Sequence, residues 1–140
     1  AAAKAEKIHA EYHAKVIKAL GAEPKKEIKL PEIKTTKENL EAAIAGEKYE
    51  RDKMYPAFLQ TARKDRNRDA MRTLNFARTA EGEHAKLYQH AVDNLEKLKS
   101  SEKTTYMVCT TCGYTVDKKD FTFEKCPSCF DPKEKYEAVS

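Results

Sequence analysis

The sequence predicts an all-α helical bundle followed by a small β-rich metal-binding domain. Three observations lead to this prediction. Apolar residues recur at helical spacing through most of the first 99 residues, a Glu-x-x-His pattern occurs twice in alanine-rich segments, and all four cysteines fall in the last 32 residues as two Cys-x-x-Cys pairs. We therefore expect a helical domain at 1–99, a linker at 100–105 and a metal domain at 106–140.

The charge pattern of the 140-residue chain gives no indication of a nucleic-acid or membrane partner. Charged residues make up 36% of the sequence, and the net charge of +4 comes from lysines and arginines that are interleaved with glutamates. No stretch approaches the roughly 18 consecutive apolar residues of a membrane-spanning helix. The opening AAAKAEK lacks the apolar core of a signal peptide, so we expect a cytoplasmic protein.

The first predicted helix covers residues 1–20. Ile8, Tyr12 and Val16 follow the spacing of one helical face, and Gly21 stands where glycine commonly ends a helix. The segment that follows, 21–34, contains two prolines and no helical period, so it is predicted to be a connector.

The second and third predicted helices are separated by a short polar turn at 64–69. Thr35 opens a Thr-x-x-Glu capping box, which is typical of a helix start. Pro56 is expected to kink the second helix without ending it, because the apolar pattern continues through Phe58 on the inward face. The third helix is expected to run to about Leu98.

The four cysteines have the spacing of a tetrahedral metal site. They are Cys109, Cys112, Cys126 and Cys129, in the pattern Cys-x₂-Cys-x₁₃-Cys-x₂-Cys. Each pair forms a tight knuckle that points two thiolates at one centre. A domain this small cannot bury enough apolar surface to fold unaided, so the metal is expected to stabilise it. The spacing does not distinguish zinc from iron.

A second metal centre is predicted in the helical part. Three pairs of metal-ligand residue types share the spacing i and i+3, which places both members on one helical face: Glu6 with His9, Glu47 with Glu50, and Glu81 with His84. Several carboxylates buried together are tolerable only with cations, and one Glu plus one Glu-x-x-His per helix pair describes a carboxylate-bridged di-iron or di-manganese bundle. The alternative is that Glu47 lies on a solvated face and pairs with Arg51.

These motifs together resemble the rubrerythrin family. AEKIHA, NLEAAIAGEKYERDKMYP and AEGEHA resemble its second, third and fourth helices, while YMVCTTCGYTV and KCPSCFDPKEKYE resemble its C-terminal domain. The resemblance implies a ferritin-like four-helix bundle followed by a rubredoxin-like Fe(Cys)₄ domain. The family's first helix, with one more glutamate ligand, has no counterpart in this sequence. We expect either that the sequence is a fragment, or that it is one piece of a nicked or separately supplied bundle, or that a partner chain or peptide supplies the helix. Phe130–Asp131 replaces the Gly-Ala often found after the last cysteine, so a different local backbone is expected.

The resemblance also implies the cofactors and the role of each ligand. Two irons would occupy a carboxylate-bridged site and a third iron would be held by the cysteines, with zinc as the alternative metal at either site. Glu6 and Glu81 would bridge the two irons, and Glu47 would bind the same iron as His84. On the other iron Glu50 and His9 would exchange as its oxidation state changes. Tyr55 would hydrogen-bond to a ligating glutamate or to bound peroxide.

The activity implied by the resemblance is reduction of hydrogen peroxide to water in oxidative-stress defence. An upstream redox protein would deliver electrons through the Fe(Cys)₄ centre. The small domain of one chain would face the bundle of another in a homodimer or larger oligomer. Two alternatives stay open: a ferritin-like bundle that oxidises and stores iron, with a structural zinc-bound tail, and a purely structural helical hairpin whose zinc ribbon binds a partner.

Overall fold

The computed structural model describes residues 1–25, 27–28 and 31–140. Its helices are α1 (Ala2–Ala19), α2 (Thr36–Tyr49), α3 (Tyr55–Lys64), α4 (Arg68–Asp93) and α5 (Leu95–Lys99), and its strands are β1 (Tyr106–Cys109), β2 (Thr115–Asp117) and β3 (Tyr136–Val139). Within the predicted connector, Lys26, Lys29 and Leu30 lie outside the described residues. The predicted class, a helical bundle followed by a small β-rich domain, is confirmed; the division at 100–105 stays a prediction.

The predicted helix ends at the first connector are confirmed. α1 ends at Ala19, and Gly21 follows in the left-handed region with φ +79°, which costs glycine little. α2 begins after Thr35, whose side chain accepts from the Glu38 backbone N–H while the Glu38 carboxylate accepts from the Thr35 backbone N–H. This reciprocal pair satisfies donors that the first helical turn leaves free.

Pro56 does not end the helix, as predicted, since a π-helical turn at Glu50–Met54 joins α2 directly to α3, but the predicted inward position of Phe58 is wrong. The Tyr55 backbone N–H bonds to the carbonyl of Glu50, five residues back. Since a proline ring clashes with the carbonyl four residues earlier and offers no N–H, a widened turn before Pro56 accommodates it. The extra residue rotates all later side chains by about 100°. Phe58 is consequently 49% exposed rather than facing inward.

The longest helix, α4, forms the spine of the bundle. The Asn67 side chain caps it by accepting from the Ala70 backbone N–H. The helix ends at Asp93, and a break at Asn94 separates it from α5, so the prediction of one helix to Leu98 is wrong at its last turn. In the part of the chain that the structure describes, no helix combines the length and the apolar character needed to cross a membrane.

Small residues let the helices approach closely around the predicted metal centre. α4 packs against α1, α2 and α3. Of the four alanines that flank the two Glu-x-x-His motifs, Ala5, Ala80 and Ala85 are buried and Ala10 is exposed. The core therefore has little bulk near the site, and large apolar side chains such as Leu59 fill the bundle further along.

The small domain is a three-stranded antiparallel sheet in the order β2-β1-β3. Phe121 and Phe123 pack at tilted angles against the buried Tyr136, with ring centroids 4.8 and 5.5 Å from it. The two cysteine knuckles end alike, since Gly113 has φ +76° and Phe130 has φ +64°. The different backbone expected at Phe130 is therefore not found, and an aromatic residue occupies a conformation that favours glycine.

Candidate metal centres

The helices bring acidic and histidine side chains to one point in the bundle. Donor atoms of Glu6 on α1, Glu47 on α2, and Glu81 and His84 on α4 all lie within 4.8 Å of one another. The side chains of Glu81 and His84 are 0% and 1% exposed, whereas Glu6 is 47% exposed. The i, i+3 spacing on α4 produces this arrangement, because both side chains leave the same helical face.

Two carboxylates in this cluster each face two histidines. Glu81 places Oε2 3.1 Å from His84 Nδ1 and Oε1 3.2 Å from His9 Nδ1. Glu6 repeats the pattern, with Oε1 3.5 Å from His84 Nδ1 and Oε2 3.3 Å from His9 Nδ1. Glu47 approaches only His84 Nδ1, at 3.5 Å. The geometry therefore has two poles, one at each imidazole, with two carboxylates between them.

The central polar atoms lack directed hydrogen bonds, which supports a bound cation. Both carboxylate oxygens of Glu81 and Nδ1 of His84 are buried without a hydrogen bond of good geometry among the described residues. Buried polar groups are almost always satisfied, so such a cluster of exceptions needs an explanation. Metal ions that accept electron pairs from these same atoms provide one, and oxygen and imidazole donors suit iron.

The charges at this centre favour protonation of its histidines when no cation is bound. Burial by itself would raise the pKa of Glu6, but contacts with His84 and His9 outweigh it and lower that pKa to about 2. Burial would lower the histidine pKa values, yet the facing carboxylates raise them to about 9 for His9 and about 11 for His84. Burial, followed by the surrounding negative charges, raises the pKa of Glu50 to about 7.

Metal binding at this centre should therefore release protons. Because His9 and His84 would be protonated at pH 7, Fe²⁺ must displace about two protons from them, and its affinity should rise as the pH increases towards 9. Calorimetric titrations in two buffers of different ionisation enthalpy measure this release, using protein whose cysteine site is already loaded. His9→Gln is the control and should release about one proton fewer. Equal heats in both buffers would contradict the prediction.

Tyr55 lies beside this centre and contacts a third histidine. Its ring is 4% exposed, and burial, followed by the charges of Glu81 and Glu50, raises the pKa of its hydroxyl. That hydroxyl is 3.5 Å from His13 Nε2, and His13 Nδ1 is 3.2 Å from the Thr73 hydroxyl. His13 lies one turn beyond His9, and this spacing did not predict that its ring would connect α1 with α3 and α4.

The four cysteines have the geometry of a tetrahedral metal site. The sulfurs of Cys109 and Cys129 are 3.7 Å apart, and those of Cys112 and Cys126 are 3.6 Å apart. Sulfurs bound to one metal at about 2.3 Å would be separated by about 3.8 Å, whereas a disulfide would hold them at about 2.0 Å. All four cysteines are free. The predicted four-sulfur cluster is formed.

The small domain anchors both histidines of the helical centre. The Nε2 of His9 lies 3.0 Å from the backbone carbonyl of Cys112, and the Nε2 of His84 lies 3.1 Å from the Thr115 hydroxyl, which donates to the Gly113 carbonyl. These partners fix the ring orientations and leave both Nδ1 atoms free for metal. They lie more than 30 positions from the histidines in sequence, and no local pattern in the sequence indicated them.

Comparisons with known proteins agree with both centres. A family model described as Rubrerythrin matches residues 1–92. The chain is 40% identical to Rubrerythrin-2 of Clostridium acetobutylicum over 101 residues, which are 72% of this chain and 54% of that protein. It is 36% identical to Nigerythrin of Nitratidesulfovibrio vulgaris over 100 residues, 71% of this chain and 47% of that protein.

A solved structure gives the same result for the fold. Nigerythrin in its fully reduced, all-ferrous state superimposes with a TM-score of 0.85 at 32% identity, and the match covers 99% of this chain and 66% of that one. The chain spans about half the length of the two relatives above. It belongs to the rubrerythrin family, and its carboxylate–histidine and four-cysteine clusters fit the di-iron and Fe(Cys)₄ sites of that family.

Proposed function

We propose that the chain is an oxidoreductase that reduces hydrogen peroxide to water and so acts in defence against oxidative stress. The observation that carries the proposal is the direct contact between the two centres, in which the Cys112 carbonyl accepts from His9. A storage protein needs no such contact, because its iron is oxidised by dissolved oxidants. A metal site that reduces peroxide repeatedly must be re-reduced after each reaction, and the contact between the two centres provides a route for the electrons.

The ligand roles that we propose follow the two poles of the cluster. Glu6 and Glu81 would be shared by the two irons, since each turns one oxygen towards each histidine. Glu47 shares the iron of His84. His9 would serve the other iron together with Glu50, whose pKa is raised to about 7 by burial and neighbouring carboxylates as long as no cation is bound.

The bound irons supply the two electrons of the reaction H₂O₂ + 2H⁺ + 2e⁻ → 2H₂O. The chain's own residues then hold protons and orient groups. Tyr55 keeps its hydroxyl proton at the edge of the centre because burial disfavours the phenolate. The electron route that we propose runs from a cysteine sulfur through the Cys112 carbonyl and the His9 ring, all within this chain. This differs from the predicted contact with the bundle of another chain, since the small domain packs on the bundle of its own chain. The homodimer and the upstream donor protein stay predictions.

The test is a single-turnover experiment under anaerobic conditions. Fully reduced, iron-loaded protein is mixed with one equivalent of hydrogen peroxide, and the visible bands of the oxidised Fe(Cys)₄ centre are followed while peroxide and oxygen are measured. We expect loss of the peroxide, re-oxidation of the cysteine iron and no oxygen release. Persistence of the peroxide would contradict the proposal. Growth of an iron mineral core on repeated addition of Fe²⁺ and oxidant, with the cysteine iron left reduced, would support the storage alternative.

Replacing Cys126 with serine should separate peroxide reduction from the re-reduction of the helical centre. The variant should lose the red Fe(Cys)₄ absorption. Its steady-state rate of peroxide turnover should fall by at least about 100-fold, because no electrons reach the helical centre to re-reduce it. The buried Thr115 contact keeps His84 oriented only if the small domain stays folded, so zinc-loaded wild-type protein is the matched control. That control should give one turnover and then stop. Unchanged steady-state activity in either sample would contradict the proposed electron route.

A further inference from the structure

The π turn at Glu50–Met54 leaves one backbone carbonyl without a donor from its own helix. In an α-helix the Arg51 carbonyl would accept from the Tyr55 N–H, but that N–H is bonded to the Glu50 carbonyl. In the widened register the donor would be Pro56, which has no N–H. The Arg51 carbonyl must therefore find its partner outside the helix or lose a hydrogen bond.

A side chain of α4 supplies that partner. Arg78 donates from Nε to the Arg51 carbonyl at 2.9 Å. The Arg51 side chain does not compete, because its guanidinium pairs with Asp52 through two contacts of 2.7 Å. α4 thus holds the turn with a side-chain donor.

The register of this turn decides which side chains reach the metal centre. The extra residue rotates everything after it by about 100° relative to an uninterrupted helix. With the turn in place, Tyr55, Leu59 and Ala62 are buried, whereas Phe58 is 49% exposed. In an uninterrupted α-helix Phe58 would face inward and Tyr55 would turn away from Glu50 and Glu81.

We propose that Arg78 is a positioning residue, which holds the π turn in register by bonding the Arg51 carbonyl and thereby keeps Tyr55 on the helical face of Glu50. The inference rests on the proposed function only in giving Glu50 and Tyr55 a part in peroxide reduction. It goes beyond that function because Arg78 touches neither metal ligands nor substrate.

The experiment compares iron-loaded full-length variants by two measurements that do not depend on turnover. Arg78→Met removes the donor and keeps an unbranched stem, and Arg78→Lys keeps a donor for the carbonyl. Arg72→Met is the matched control, since Arg72 lies on the same helix and its salt bridge is to Asp69, away from the turn. Visible absorption of the oxidised di-iron site is measured with the Fe(Cys)₄ bands as internal reference, and amide hydrogen exchange is measured for peptides that contain residues 50–55.

We expect Arg78→Met to accelerate exchange at 50–55 by about tenfold and to alter the di-iron absorption, while Arg72→Met changes neither. Arg78→Lys should restore most of both signals. The inference is overturned if Arg78→Met matches Arg72→Met, or if Arg78→Lys behaves like Arg78→Met, because the bond to the carbonyl would then have no role. Altered absorption in Arg78→Met, together with wild-type protein that consumes no peroxide, would contradict the proposed function and leave this inference standing.

Discussion

Replacing Glu81 with glutamine should empty the carboxylate–histidine centre of iron and leave the Fe(Cys)₄ centre loaded. Glutamine has nearly the same volume, so the bundle should still fold, but it removes the negative charge that lies between the two histidines. Loss of partners that merely support a ligand costs 10–100-fold in metal affinity or activity, so loss of a shared ligand should lower peroxide turnover by more than about 100-fold.

Iron analysis and visible absorption measure this outcome, because the two centres absorb differently. Glu83→Gln is the matched control, since Glu83 lies two residues away on α4 and pairs with Lys86 on the surface. That variant should keep all its iron and its full activity. Retention of di-iron absorption by Glu81→Gln would show that Glu81 is not a ligand, and the two-pole arrangement would then need another explanation.

Replacing Gly113 with alanine should push the small domain away from His9. A Cβ at Gly113 would overlap with His9 Nε2, and its 3.2 Å distance to the Ala5 Cβ would also be tighter than most contacts of this kind. The hydrogen bond from His9 to the Cys112 carbonyl should break as the domain shifts. We expect electron transfer between the centres to slow by about 10–100-fold, because this partner orients a metal-binding histidine.

Gly21→Ala is the control that separates the effect of the contact between Gly113 and His9 from the effect of backbone strain. Gly21 has φ +79°, nearly the same as Gly113, but no heavy atom of the described residues would lie within 4 Å of its Cβ. Both substitutions should lower the free energy of unfolding by roughly 1–2 kcal/mol through the left-handed backbone. Stopped-flow re-oxidation of the cysteine iron after peroxide addition should slow only in Gly113→Ala. Equal rates in the two variants would mean that the contact does not carry electrons.

Both metal centres could be predicted from the sequence because their ligands are fixed by local spacing. Glu81 and His84 share a helical face at i, i+3, and each cysteine pair closes its own knuckle. The capping box at Thr35 and the glycine after α1 are equally local, and the structure confirms both. Burial of Glu81 agrees with the prediction as well, since a buried carboxylate must be paired or bind a cation.

The remaining features depend on contacts between distant segments, which spacing does not encode. The helical period predicts Phe58 inside, but the π turn before Pro56 changes the phase of the helix. Thr115 and Cys112 bond to the histidines only because the small domain packs on α1 and α4. His13 had no feature that distinguished it from a surface residue until α3 and α4 were placed around it.

The anchoring of both histidines by the small domain has a consequence for how the protein matures. A β-rich unit of this size folds around its metal rather than before it. His84 is held by Thr115, so its ring is set for coordination only once the cysteine site has been filled. We therefore expect metal loading to be ordered, with occupancy of the four-cysteine site preceding high-affinity binding at the helical centre.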